Sequence, residues 1–124
     1  MIRVLVVDDW PSTREGIKAM LGSSPNIQVT GEASNGQEAV QVAAEEQPDV
    51  VLMDVRMPVM DGLEAARLIK DGWPQIKVIL LSMQPPSREE MLASGADRFL
   101  LKGDRTKSLE DVILSSFTKD TQQL

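Results

Sequence analysis

The stretch Val4-Leu5-Val6-Val7-Asp8-Asp9 decides the reading of this chain, because a run of four apolar residues stops abruptly on two carboxylates. Short β-branched runs of this kind suit strands buried on both faces of a parallel sheet. Two more follow: Val50-Val51-Leu52-Met53, closed by Asp54, and Val78-Ile79-Leu80-Leu81, closed by Ser82. Ile27-Gln28-Val29-Thr30 alternates apolar and polar residues, which predicts an edge strand with one wetter face. Phe99-Leu100-Leu101, closed by Lys102, reads as a short fifth strand.

Helical patterns lie between these runs. Ile17, Met20 and Leu21 form an apolar stripe, with Ser12 and Glu15 placed to make a capping box ahead of it. Ala39, Val40 and Ala43 form a second stripe, opened by Asn35-Gly36; Ala65, Leu68 and Ile69 form a third, closed by Gly72 and Pro74. Leu109, Val112, Ile113 and Phe117 form the last. Before it, Pro85 and Pro86 bar a helix from starting ahead of Ser87, which can share a capping box with Glu90, and Gly95 closes that short segment. Strand and helix alternate five times. This predicts an α/β fold, one domain over residues 1–124 with a parallel sheet and helices on both faces; the expected form is a doubly wound (βα)5 flavodoxin-like sandwich, if the strand order is 2-1-3-4-5.

Composition narrows the chemistry. The chain has no Cys and no His, which excludes disulfides, thiolate metal sites, imidazole bases and phosphohistidine. Its 13 basic and 19 acidic residues give a net charge of −6, so it is not expected to bind nucleic acid by itself. No apolar run approaches a membrane span, and Asp8-Asp9 falls where a signal peptide needs apolar residues, so a soluble cytoplasmic domain is expected.

The residues that end the strands carry the functional signal. In an open α/β sheet, ligands bind beyond the carboxyl ends of the strands, where strand order reverses. With order 2-1-3-4-5, Asp8, Asp9 and Asp54 converge on one crevice, with Ser82 and Lys102 across from them. Two unit charges about 5 Å apart repel by roughly 3 kcal/mol at an effective dielectric near 20. Three carboxylates together therefore call for a cation, and an all-oxygen donor set suits Mg²⁺, or Mn²⁺. Lys102 supplies a mobile positive charge and Ser82 a hydroxyl for phosphoryl oxygens. Asp61, in Met60-Asp61-Gly62, reads as an N-cap or turn residue, and Met53, Met57 and Met60 as packing; Trp10 falls at the rim of the crevice.

These residues resemble the receiver domain of two-component response regulators. The likeness rests on Val6-Val7-Asp8-Asp9, Met53-Asp54-Val55-Arg56-Met57-Pro58, Met60-Asp61-Gly62 and the segment from Gly95 to Lys102. Arg14-Glu15-Gly16-Ile17 and Gly31-Glu32-Ala33-Ser34-Asn35-Gly36 are most similar to the NarL/FixJ branch, whose members usually carry a LuxR-type helix-turn-helix. The resemblance implies that Asp54 is the phosphoacceptor. It implies Mg²⁺ held by Asp9, Asp54 and the Arg56 carbonyl, with Asp8 acting mostly through water. It also implies phosphoryl contacts from Lys102 and Ser82, and a switch formed by Ser82 and Phe99. The implied partners are a sensor histidine kinase and, on phosphorylation, a second copy of the chain.

Three features depart from the family pattern. Gly103 stands where a proline often follows the lysine, Trp10 where the branch has a smaller or polar residue, and Ser82 lies closer to Lys102 than is usual. The shortening falls in the fourth helix, on the family's output surface. Two rivals are weaker. A haloacid-dehalogenase-like phosphatase needs a second Asp two residues after its nucleophile, where this chain has Trp10 or Pro11. A flavin carrier needs a phosphate-cradling loop where Asp8-Asp9 would repel phosphate. The chain ends at Leu124, just after the fifth helix. The expectation is the N-terminal part of a LuxR-type transcriptional regulator, with a stand-alone receiver acting through protein contacts as the alternative.

Overall fold

A computed structural model of the chain describes residues 1–103 and 108–122, with side chains described through Ser116. Strands and helices alternate as β1 (Ile2–Val7), α1 (Pro11–Gly22), β2 (Ile27–Ala33), α2 (Gly36–Glu46), β3 (Val50–Asp54), α3 (Gly62–Gly72), β4 (Lys77–Ser82), α4 (Arg88–Ser94), β5 (Arg98–Leu101) and α5 (Leu109–Gln122). The strands form one parallel sheet in the order β2-β1-β3-β4-β5. This is the doubly wound, flavodoxin-like arrangement that the apolar runs predict.

The continuous runs occupy the middle of the sheet because both of their faces are covered. Val4, Val6, Leu52, Ile79 and Leu81 pack toward Ile17 and Leu21 of α1 and Val112 and Ile113 of α5. Their alternates Leu5, Val7, Val51, Met53, Val78 and Leu80 pack toward Ala39 and Ala43 of α2 and Ala65, Ala66 and Ile69 of α3. Period-two alternation thus feeds two cores from one strand. The alternating segment from Ile27 is an edge strand as expected, and it runs on to Ala33. A bulge at Thr30 makes the extension possible: Val4 pairs with Val29, but Leu5 pairs with Gly31.

Two helical expectations need correction. Met20 is exposed, although it belongs to the apolar stripe of α1. Leu21, one turn beyond Ile17, takes the sheet contact, and Met20 is rotated about 100° away from it. The Ser12–Glu15 capping box does not form. Trp10 is the extended N-cap without a side-chain hydrogen bond, and Pro11 is the first helical residue. Proline suits that position because its fixed φ is helical and it has no N–H to satisfy, so the helix starts ahead of Ser12. Elsewhere the caps match the sequence. Asn35 accepts a hydrogen bond from the Glu38 amide and Asp61 from the Glu64 amide. Ser87 and Glu90 form a reciprocal capping box, and Gly95 closes α4 in the left-handed region at φ +71°. The Phe117 side chain lies outside the described part.

α4 is the shortest helix among the described residues. It has seven residues, Met91 packs against the core, and Leu92 faces solvent. So short a helix depends on tertiary contacts for its stability. Hydrogen exchange should therefore find the amides of Glu90 to Ala93 exchanging faster than those of Ile17 to Leu21. Equal protection would contradict this account.

Candidate functional site

The crevice follows from strand register. Val7 pairs with Met53, so Asp8 emerges beside Asp54; Asp54 pairs with Leu81, and Ser82 with Leu101. Each neighbouring strand ends about one residue further along, so Asp8, Asp54, Ser82 and Lys102 meet at one edge, with strands roughly 4.8 Å apart. Asp9 joins them. Carboxylate oxygens of Asp8, Asp9 and Asp54 all lie within 4.8 Å of one another, and this group could hold a metal ion.

Asp8 is 1% exposed and Asp54 8%, so the acidic floor is largely sealed. Asp8 is pinned from three sides. Its Oδ1 accepts the Trp10 amide at 2.9 Å, its Oδ2 accepts Lys102 Nζ at 2.8 Å, and its carbonyl accepts Arg14 Nη1 at 2.7 Å. Lys102 Nζ also lies 3.2 Å from Asp54 Oδ2. The ammonium expected to be mobile is instead held between two carboxylates, because it is the nearest cation to both. Its amide donates to the Ser82 carbonyl at 2.8 Å, which ties the ends of β4 and β5 together. Gly103 follows at φ +84°, a conformation glycine adopts without strain.

Charge and burial pull the titrations in opposite ways. Burial pushes the Asp54 carboxyl above the ordinary carboxylate range; Lys102 opposes the rise, while Asp8 and Asp9 add to it. For Lys102, burial acts downward, but its hydrogen bond to Asp8 and the charges of Asp54 and Asp8 outweigh burial and raise it.

The remaining predicted residues fall in place around this floor. Ser82 is buried, with its Oγ accepting the Gln84 amide at 3.3 Å. Phe99 of β5 is half-buried against the α3 side of the sheet, and by alternation with Val78 and Leu80 the Ser82 side chain shares that face. Arg56 lies exposed in the loop after β3. Met53 is fully buried, and Met57 and Met60 pack against the core as expected. Trp10 is exposed beside the floor.

Three further residues support the floor in ways that only the fold shows. Gly62 sits so close to the strand end that a Cβ there would lie 2.0 Å from the Asp54 carbonyl oxygen. Arg14 reaches the Asp8 carbonyl and pairs with Glu32; nothing in local spacing marks it. Val59 has φ +71°, with the Met60 amide donating to the Pro58 carbonyl at 2.7 Å. That is a γ-turn centred on a β-branched residue, a strained conformation.

With this geometry in hand, similarity to known proteins carries a definite meaning. The model of the response regulator receiver domain matches residues 4–114. The chain belongs to the response regulator receiver-domain family. Its relatives include the response regulator GacA of Pseudomonas viridiflava, 45% identical over 105 residues, covering 83% of this chain and 49% of that protein. A LuxR-family two-component response regulator from Aurantimonas superposes with TM-score 0.88 at 27% identity, over 96% of this chain and 86% of that one. The CheX–CheY–BeF3–Mg complex of Borrelia burgdorferi matches with TM-score 0.82 at 28% identity, over 93% of this chain and 89% of that one. The chain spans about half the length of the curated relatives it matches. Among the described residues of this receiver domain, no helix is long and apolar enough to cross a membrane.

Two stability measurements check this electrostatic and steric account. A folded-state value above the unfolded one means that the native state binds the extra proton, so Asp54 costs stability as pH rises through that window and above it. Asp54→Asn should raise Tm by a few degrees at pH 7 without metal, and the gain should vanish in acid, below the unfolded carboxylate range. Val59→Gly should stabilise by about 1 kcal/mol through relief of the left-handed strain. An unchanged or lower melting temperature in either variant at pH 7 would refute its half of the account.

Proposed function

We propose that this receiver domain takes a phosphoryl group onto Asp54 from the phosphohistidine of a sensor histidine kinase and changes its output surface in response. The observation that carries the reading is the floor itself: three carboxylates within 4.8 Å, with Lys102 on two of them, in a receiver-family chain. Asp54 is the nucleophile. Its carboxylate lies at the end of a buried strand, so it is fixed for attack and shielded from bulk water.

The donor set fits Mg²⁺, with Mn²⁺ as substitute: Asp9, Asp54 and the Arg56 carbonyl would hold it, and Asp8 would act mostly through water. When bound, the ion neutralises charge on the floor and on the incoming phosphoryl oxygens. The CheY relative crystallised with BeF3 and Mg supports this assignment. Lys102 would then turn from the carboxylates toward the phosphoryl group, and the Ser82 hydroxyl would contact it. Movement of Ser82 opens space on the face it shares with Phe99, which gives the aromatic ring room to rotate. The chain would accept one phosphoryl group and lose it slowly to water; it is not a turnover enzyme on external substrates.

The output we infer is transcriptional. A LuxR-family relative and curated relatives about twice as long favour a natural protein that continues into a DNA-binding domain. Such a protein would work in the cytoplasm and pair with a second copy on phosphorylation. The acidic receiver would leave DNA contact to that second domain.

With Mg²⁺ and phosphoramidate, intact mass should rise by one phosphate. Asp54→Asn should abolish the rise; normal labelling of that variant would overturn the assignment. In a Trp73→Phe background, Mg²⁺ should change Trp10 fluorescence, and Asp9→Asn should weaken that response. A silent Trp10 would count against the metal placement.

A further inference from the structure

The carboxyl edge of the sheet sets an apolar rim around its acidic floor. Trp10 after β1, Val59 after β3, Met83 after β4 and Leu101 at the end of β5 are all exposed. Trp10 is the largest, with 65% of its surface in solvent. An exposed indole is typical of a contact surface, where a rigid, flat apolar face meets a partner. Its backbone is fixed on the floor: the amide donates to Asp8 Oδ1 at 2.9 Å, and Pro11 follows as the first residue of α1.

Resting on the phosphoacceptor reading above, we propose that Trp10 is a specificity-determining residue that stacks on the aromatic leaving group of the phosphoryl donor and favours N-phosphorylated imidazoles over ringless donors. Reach supports this. Asp54 is buried, so the phosphorus must enter the crevice while the group it leaves behind stays at the rim. Charge supports it too. An N-phosphorylated imidazole ring protonated on its second nitrogen is cationic until the P–N bond breaks, and an indole face attracts cations. In the transfer, an Asp54 oxygen forms the P–O bond as the P–N bond breaks. The bonding pair stays on nitrogen and the ring departs as neutral imidazole. Phosphoramidate reacts with the same balance, but its leaving group is ammonia and offers nothing to stack.

The test compares rates of Asp54 labelling by N-phosphoimidazole and by phosphoramidate, both with Mg²⁺, read by intact mass. Trp10→Ala should lower the imidazole rate about fivefold, the size of one aromatic contact, and leave the phosphoramidate rate unchanged. Trp10→Phe should restore most of the loss. If alanine changes both rates equally or neither, or if phenylalanine does no better than alanine, the role of Trp10 is overturned while Asp54 labelling stands. Labelling by neither donor would overturn the phosphoacceptor reading and this inference with it.

Discussion

One ammonium group faces three carboxylates at the end of this sheet. Lys102 bridges Asp8 and Asp54 at 2.8 and 3.2 Å, and Asp9 completes the acidic group. Gathering like charges in a buried place is costly, and a single lysine offsets only part of the repulsion. Burial pushes the Asp54 carboxyl upward, Lys102 opposes the rise, and Asp8 and Asp9 add to it. A floor so arranged is poised to take up positive charge, and the rest of the fold keeps it from relaxing. The Asp8 side chain and carbonyl are both engaged, and Gly62 lets α3 begin hard against the carbonyl of Asp54.

The same lysine joins the floor to the rest of the sheet. Its amide binds the Ser82 carbonyl, and Ser82 shares a face with Phe99, over which lie α3 and the short α4. Under the proposed chemistry, a change at Asp54 therefore reaches the shortest described helix through two neighbouring strands. The opposite face packs aliphatic side chains of the strands against α1 and α5. Strain sits on the working side as well, in the γ-turn at Val59 that leads into α3.

Much of this was written locally in the sequence. The uninterrupted runs at Val4, Val50 and Val78 specified central parallel strands, because only a strand covered on both faces can be apolar at every position. The polar residue closing each run marked the crevice, since parallel strands bring all their carboxyl ends to one edge. Asn35, Asp61, Ser87 and Gly95 announced helix ends, because a cap is a contact within a few residues. The same local logic failed at Ser12, where Trp10 as N-cap and Pro11 as first helical residue start the helix two residues earlier.

Contacts between distant parts of the chain needed the folded structure. Lys102 and Asp8 are 94 residues apart, and their salt bridge exists only because β5 and β1 end at a common edge with the right stagger. Sequence spacing could place both at that edge, yet not reveal that the lysine would be pinned rather than mobile. Met20 fitted an apolar stripe, but periodicity defines an arc of a helix and not how far the sheet covers it. Arg14 and Gly62 belong to motif segments, but their roles, a reach to one carbonyl and a close approach to another, needed the fold. The sequence by itself determined the order of strands and helices and the chemical character of the crevice, because both follow from short-range pattern. Tertiary structure decided which charges touch, which apolar residues stay in water and how the floor is held, because those depend on register and packing across the whole sheet.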